Sequence, residues 1–143
     1  MSDLYDDDIV LWSERQAELL RRHVAGDRAN DAIPDWTNII EEIESVGREQ
    51  LHAVESLLLM ALIHRLKAEA WPDSRDVPHW RAEERTFRNQ ARRRFAPSMR
   101  QRLDLADIYA DALRGLPETN NGVPPLPVPE TCPATLDELL APV

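Results

Sequence analysis

A single cysteine, Cys132, stands among the 143 residues, so no intramolecular disulfide framework can form. Glycine is nearly as scarce, at 4, and neither a Gly-x-Ser-x-Gly elbow nor a phosphate-cradling glycine-rich loop occurs. β-Branched residues never alternate over a useful stretch, which leaves strands with little support. The longest aliphatic run, Leu57 to Ile63, falls far short of the roughly 20 residues that span a membrane. The acidic start, Met-Ser-Asp-Leu-Tyr-Asp-Asp-Asp, lacks the basic region and apolar core of a secretory signal. A net charge of -9 argues against wholesale binding to nucleic acid or anionic lipid. These absences lead us to expect a soluble, cytoplasmic protein without membrane contact.

What is present points to helices. Apolar residues make up 43% of the chain, enough for one core, and the 30% of charged residues give a solvated surface. The prolines Pro34, Pro72, Pro78, Pro97 and Pro117 fall between or beside helical patterns, where a missing amide hydrogen breaks a helix. A first helix is predicted over residues 7–25. Carboxylates at Asp6 to Asp8 favour its start, and Gly26 suits its end. The second is the strongest. Asp35 is a good N-cap, apolar residues from Ile39 through Val46, Val54 and Leu58 to Leu66 keep helical spacing, and Trp71-Pro72 ends it. At ~1.5 Å per residue such a helix is about 53 Å long, more than a compact domain of this size accommodates. It must bend at Gly47 or project toward a partner; we favour a continuous helix with a homodimer contact.

A third helix is predicted from Asp76-Val77-Pro78 to about Phe95, and a fourth from Pro97 or Ser98 through Leu113. Six prolines between Leu116 and Pro133 then mark an extended segment, and Thr135-Leu-Asp-Glu138 reads as a capping box opening a short helix, Leu136 to Leu140. The expected fold is all-α: a four-helix bundle-like domain over residues 1–115 with a long central second helix. A Pro-rich tail over 116–143, ending in a short helix, is expected to pack on it.

Charge is segregated. Residues 81 to 102 hold eight arginines against two acids. The basic patch Arg81, Arg85, Arg88, Arg92, Arg93 and Arg94 could contact phosphate, or could pair with the acidic first half of the chain. Arginine outnumbers lysine throughout and no groove-reading motif accompanies the patch, so nucleic acid is not the expected partner. Glu49-x-x-His52 matches half of the pattern that di-iron helical bundles require twice, and the second copy is missing. No metal and no cofactor are therefore expected. Cys132 has no sequence-adjacent base and no helix N-terminus to activate it.

The order Leu4-Tyr5-Asp6, Trp12, Gln16-Ala17-x-Leu19-Leu20, then Asn38-Ile39-x-Glu41-Glu42-Ile43-Glu44-Ser45-x-Gly47, resembles a bacterial family called domain of unknown function 29. Leu58, His64-x-Leu66-Lys67, Trp80, Arg85, Tyr109-x-x-Ala112, Glu118-Thr119 and Pro129-Glu-Thr-Cys132-Pro133 extend the likeness over nearly the whole chain. The resemblance implies an all-helical bacterial protein and supplies no activity, cofactor or catalytic residue. It does sharpen one polar cluster: Asn38, Glu41, Glu42, Glu44, His64, Lys67 and Trp80. An ion-pair network that fixes helix packing is the plainer explanation of those residues. We accordingly expect a non-catalytic protein-interaction module, meeting a protein partner or a second copy of itself through the second and third helices. The alternatives are a metal- or small-ligand-dependent hydrolase using Glu41, Glu42, Glu44 and His64, and a weak nucleic-acid binder using the third helix.

Overall fold

The computed structural model describes residues 3–26 and 35–143; the expected break at Pro34 lies outside them. The elements are α1 (Leu4–Asp7), α2 (Ile9–Gly26), α3 (Trp36–Ala70), α4 (Val77–Arg94), a 3-10 segment (Pro97–Gln101), α5 (Leu105–Arg114) and α6 (Leu136–Leu140). No strand occurs among the described residues, only an isolated bridge between Asn120 and Val123. The protein is all-helical, with α3 running unbroken through Gly47.

Two expected helices are each divided, and both times by an aspartate. The predicted helix 7–25 is two helices because Asp8 is extended, at φ −153° and ψ 90°. Its carboxylate then accepts from the Leu11 amide at 3.0 Å and restarts the chain as α2. The predicted fourth helix is likewise a 3-10 segment followed by α5. Asp104 is extended and its side chain accepts from the Asp107 amide at 3.1 Å. A side-chain acceptor offers the amides what a continuing helix would have given them, so aspartate competes with propagation.

The chain forms two compact units, one of Met1–His52 with Ala96–Arg102 and one of Ala53–Phe95 with Leu103–Val143. In the first, α2 and the first half of α3 meet closely. A Cβ on Gly47 would lie 2.5 Å from Ser13 Oγ and 3.3 Å from Val10 Cα, so only glycine admits this approach. Ser13 is fully buried there and donates to the Val10 carbonyl at 2.8 Å. Arg21 pairs with Glu44 across the two helices.

The second unit has the larger apolar core. Val54, Leu58, Ala61, Leu62 and Leu66 of α3 are buried, as are Ala91, Ile108, Tyr109, Ala112 and Leu139. Trp71 and Trp80 pack at 6.4 Å with Ala68 and Ala70, and Val77, Leu116 and Val128 close over them. The tail is held mainly through its backbone. Asn121 and Gly122, at φ 51° and 79°, make the tight turn that the Asn120–Val123 bridge closes. Beyond it the Leu126 amide caps the Ala70 carbonyl at the end of α3, at 2.9 Å. The Trp71 Nε1–H donates to the Val123 carbonyl at 2.8 Å, and Tyr109 to the Pro129 carbonyl at 2.5 Å. Finally Arg88 reaches the Leu139 and Glu138 carbonyls and caps α6 from α4.

Candidate functional site

The polar cluster named from sequence is divided by the structure. Asn38, Glu41, Glu42 and Glu44 belong to the first unit, and His64, Lys67 and Trp80 to the second. Glu44 and His64 stand twenty residues apart in the sequence of α3. Asn38 and Asp35 bond at the start of α3, the Asn38 amide side chain donating to Asp35 at 2.6 Å. Glu41 accepts from Arg48 at 2.5 Å, and Glu44 from Arg21. Glu42 is exposed.

His64 lies 2.7 Å from the Met60 carbonyl through Nδ1, with its ring 5.5 Å from that of Phe87. A carbonyl only accepts, so Nδ1 carries a proton and donates one turn back along its own helix. Trp80 is buried in the tryptophan cluster, so it is a packing residue. Among the described residues no three His, Cys, Asp or Glu side chains are grouped to hold a metal ion.

The basic patch is also divided in its uses. Arg81 and Arg88 flank the buried Glu84 at 3.3 and 3.9 Å, and Arg92 donates to Asn89. Arg85, Arg92, Arg93 and Arg94 are exposed. Arg92, Arg93 and Arg94 occupy the last turn of α4, where cations complement the helix dipole. Arg93 and Arg94 form one wall of a groove of about 510 Å³ with Gln90, over Ala53, Ser56 and Leu57 of α3.

The strongest polar constellation of the first unit was not singled out in the sequence. Asp8 is buried at 3% exposure and accepts from the Ser98 amide and hydroxyl, both at 2.8 Å. Burial pushes its carboxyl up, yet bonds from Leu11, Ser98 and Val10 prevail and hold it below the ordinary 3.8. Nearby, Glu14 takes both arms of the Arg102 guanidinium, with Arg102 Nη2 at 2.9 Å from Oε2. That bond lowers the Glu14 carboxyl from 4.5 and raises the guanidinium. Val10, Ser13, Glu14, Glu44, Gly47, Arg48, Leu51 and Arg102 line a cavity of about 210 Å³. Asp8 and Ser98 are 90 residues apart, and no local spacing announces their contact.

A further cavity of about 320 Å³ opens in the second unit between the end of α3 and the tail, walled by Trp71, Pro72, Ser74, Asn120, Val123 and Leu126. Some of its polar groups are engaged with each other, while Asp73, Arg75 and Asn121 also line it. Asn120 donates to Ser74, and the Trp71 N–H is taken by Val123. Tyr109, at a third groove lined by Cys132, has its phenol raised by burial and then by the neighbouring thiol and Glu69. None of these places combines an activated nucleophile with a base.

The fold defines the class: an all-helical protein, in which Glu41 pairs with Arg48 and Glu44 with Arg21. The chain belongs to the family described as domain of unknown function DUF29, which matches residues 4–143. Its fold is shared with an alpha-helical protein of unknown function from Rhodospirillum rubrum, at a TM-score of 0.82 and 27% identity, over 98% of this chain and 90% of the other. No protein of curated function matches the chain. Among the described residues no helix is long and apolar enough to cross a membrane.

Proposed function

We propose that this is a non-catalytic module of the bacterial cytoplasm that works by binding another protein chain along α3. One observation carries the reading. Ile39, Ile43 and Val46 are apolar residues of the first half of α3, yet none is buried, and Ile39 and Val46 are exposed at 38% and 36%. Single exposed aliphatics need no explanation; several in file on one helix mark a surface for association. Glu42 and Glu49 flank the file, which suits a protein better than a phosphate backbone. The hydrolase alternative is weakened because two of its glutamates are already engaged, Glu41 with Arg48 and Glu44 with Arg21.

A photo-crosslinking amino acid at Val46, in the full chain expressed in its own cells, tests the proposal. A defined adduct that disappears with Ile43→Glu supports it, whether the partner is a second copy or another protein. Absence of any adduct at Val46, or one that forms equally from exposed Arg114, would overturn it.

A further inference from the structure

We infer that the second unit carries a binding site for a free amino acid with an apolar side chain, in the cavity between the end of α3 and the tail. Its volume of about 320 Å³ lies in the range that takes small molecules. Its walls come from residues 70–75 and 120–126, and both stretches belong to the second unit.

The apolar part of the ligand has a prepared wall. Val123 and Leu126 are exposed at 55% and 54%, yet their backbones are fixed. Val123 is held by the bridge to Asn120 and by the Trp71 indole, and the Leu126 amide bonds the Ala70 carbonyl. With Trp71 and Pro124 they make an apolar surface that does not have to be ordered when a ligand arrives.

The polar side is a short loop with groups that the fold leaves unspent. The Ser74 amide donates to the Trp71 carbonyl at 3.1 Å and the Val77 amide to the Ser74 carbonyl at 3.3 Å, so the loop is tied at both ends. Ser74 Oγ accepts from the Asp76 amide at 3.1 Å and from Asn120 at 3.4 Å. Both of its acceptor positions are then taken, and what it has left to give is its hydrogen. On either side of it Asp73 and Arg75 line the cavity. Neither side chain forms an ion pair or a hydrogen bond among the described residues.

These three groups set the chemistry of the ligand. Arg75 and the Ser74 hydroxyl suit a carboxylate, and Asp73 suits an ammonium. Because they are two residues apart, the Cα atoms of Asp73 and Arg75 lie within about 7 Å of each other. A ligand that meets both must hold its opposite charges as close together, and an α-amino acid carries them on one carbon. A peptide spreads them to its two ends, and a fatty acid or a simple amine has only one. Exposed charges by themselves need no ligand. Here two of opposite sign share one cavity with a fixed apolar wall and do not pair with each other.

Equilibrium dialysis of the full chain against labelled L-leucine, L-methionine and L-phenylalanine tests the site. At least one should bind, and retention of none at millimolar concentration overturns the inference. The amide of the bound amino acid lacks the carboxylate, and its N-acetyl form lacks the ammonium. Each should compete about tenfold less well than the parent, and equal competition by either overturns the inference.

The residues are assigned by two substitutions at exposed side chains, which should leave the helicity unchanged. Arg75→Gln should weaken binding about tenfold and abolish the preference over the amide. Asp73→Asn should do the same for the preference over the N-acetyl form. Binding and preferences that survive both substitutions together place the ligand elsewhere and overturn the inference. None of these outcomes touches the α3 surface, which stands or falls by the Val46 adduct.

Discussion

The two halves of α3 differ both in sequence, the second carrying the aliphatic run Leu57 to Ile63, and in surroundings. In the first unit only Gly47 of this helix is buried; in the second, Val54, Leu58, Ala61, Leu62, Leu66, Ala68 and Ala70 all are. The first half is held by a glycine-permitted close approach to α2 and the Arg21–Glu44 pair, in a unit that the Asp8–Ser98 and Glu14–Arg102 bonds also tie together. The second half is held by apolar burial and a tail bonded at carbonyls. A long helix is therefore not one structural role. Its apolar residues become core only where other segments cover them.

The largest effect should come from the second half. Leu62→Ala, at a fully buried site, should cost about 2–5 kcal/mol by denaturant unfolding. Ile43→Ala should cost far less in the monomeric protein, and equal losses would break the contrast. Next in size, Gly47→Val should cost about 1–3 kcal/mol, since its Cβ falls on Ser13 Oγ. Adding Ser13→Ala should recover part of this in a double-mutant cycle; strict additivity would show that the two helices do not meet there.

Asp8→Ala should follow at about 1–3 kcal/mol, because it leaves the buried amides of Leu11 and Ser98 without an acceptor. The same group sets an acid dependence. Its folded carboxyl, like that of Glu14, lies below the unfolded value, so its contribution is complete above 3.8 and 4.5 respectively. It is lost as pH falls through the lowered folded values. Melting temperature measured down an acid series should therefore drop less steeply in Asp8→Asn than in the parent. The smallest effect is expected at Glu41→Gln, an exposed pair with Arg48, at under about 1 kcal/mol.

Much of the local structure was legible. Asp35 opens α3, Trp71-Pro72 closes it, Pro78 begins α4, and Thr135 caps α6 by accepting from the Glu138 amide at 3.2 Å. A helix start near Asp8 was foreseen, but the separate turn α1 before it and the break at Asp104 were not, because aspartate at a helix start and aspartate within a helical run look alike until the backbone turns extended. The site was less legible still. Glu41, Glu44 and His64 looked like a cluster because they share a helix, whereas the helix runs from one compact unit into the other and each unit takes its own share of them. The uncovered apolar residues of α3 were present in the sequence but merged with its core face. Ile39, Val46 and Leu57 stood in one apolar series with Val54 and Leu58, and periodicity does not say which stripe is covered.

The sequence by itself determined where helices start, end and cap, since those events are settled among neighbours three or four residues apart. Only the tertiary structure decided that Gly47 lies against Ser13, that Asp8 reaches Ser98, and that Leu58 is buried while Val46 is not. Burial depends on which distant segments arrive at a face, and the helix that carries the face does not encode their arrival.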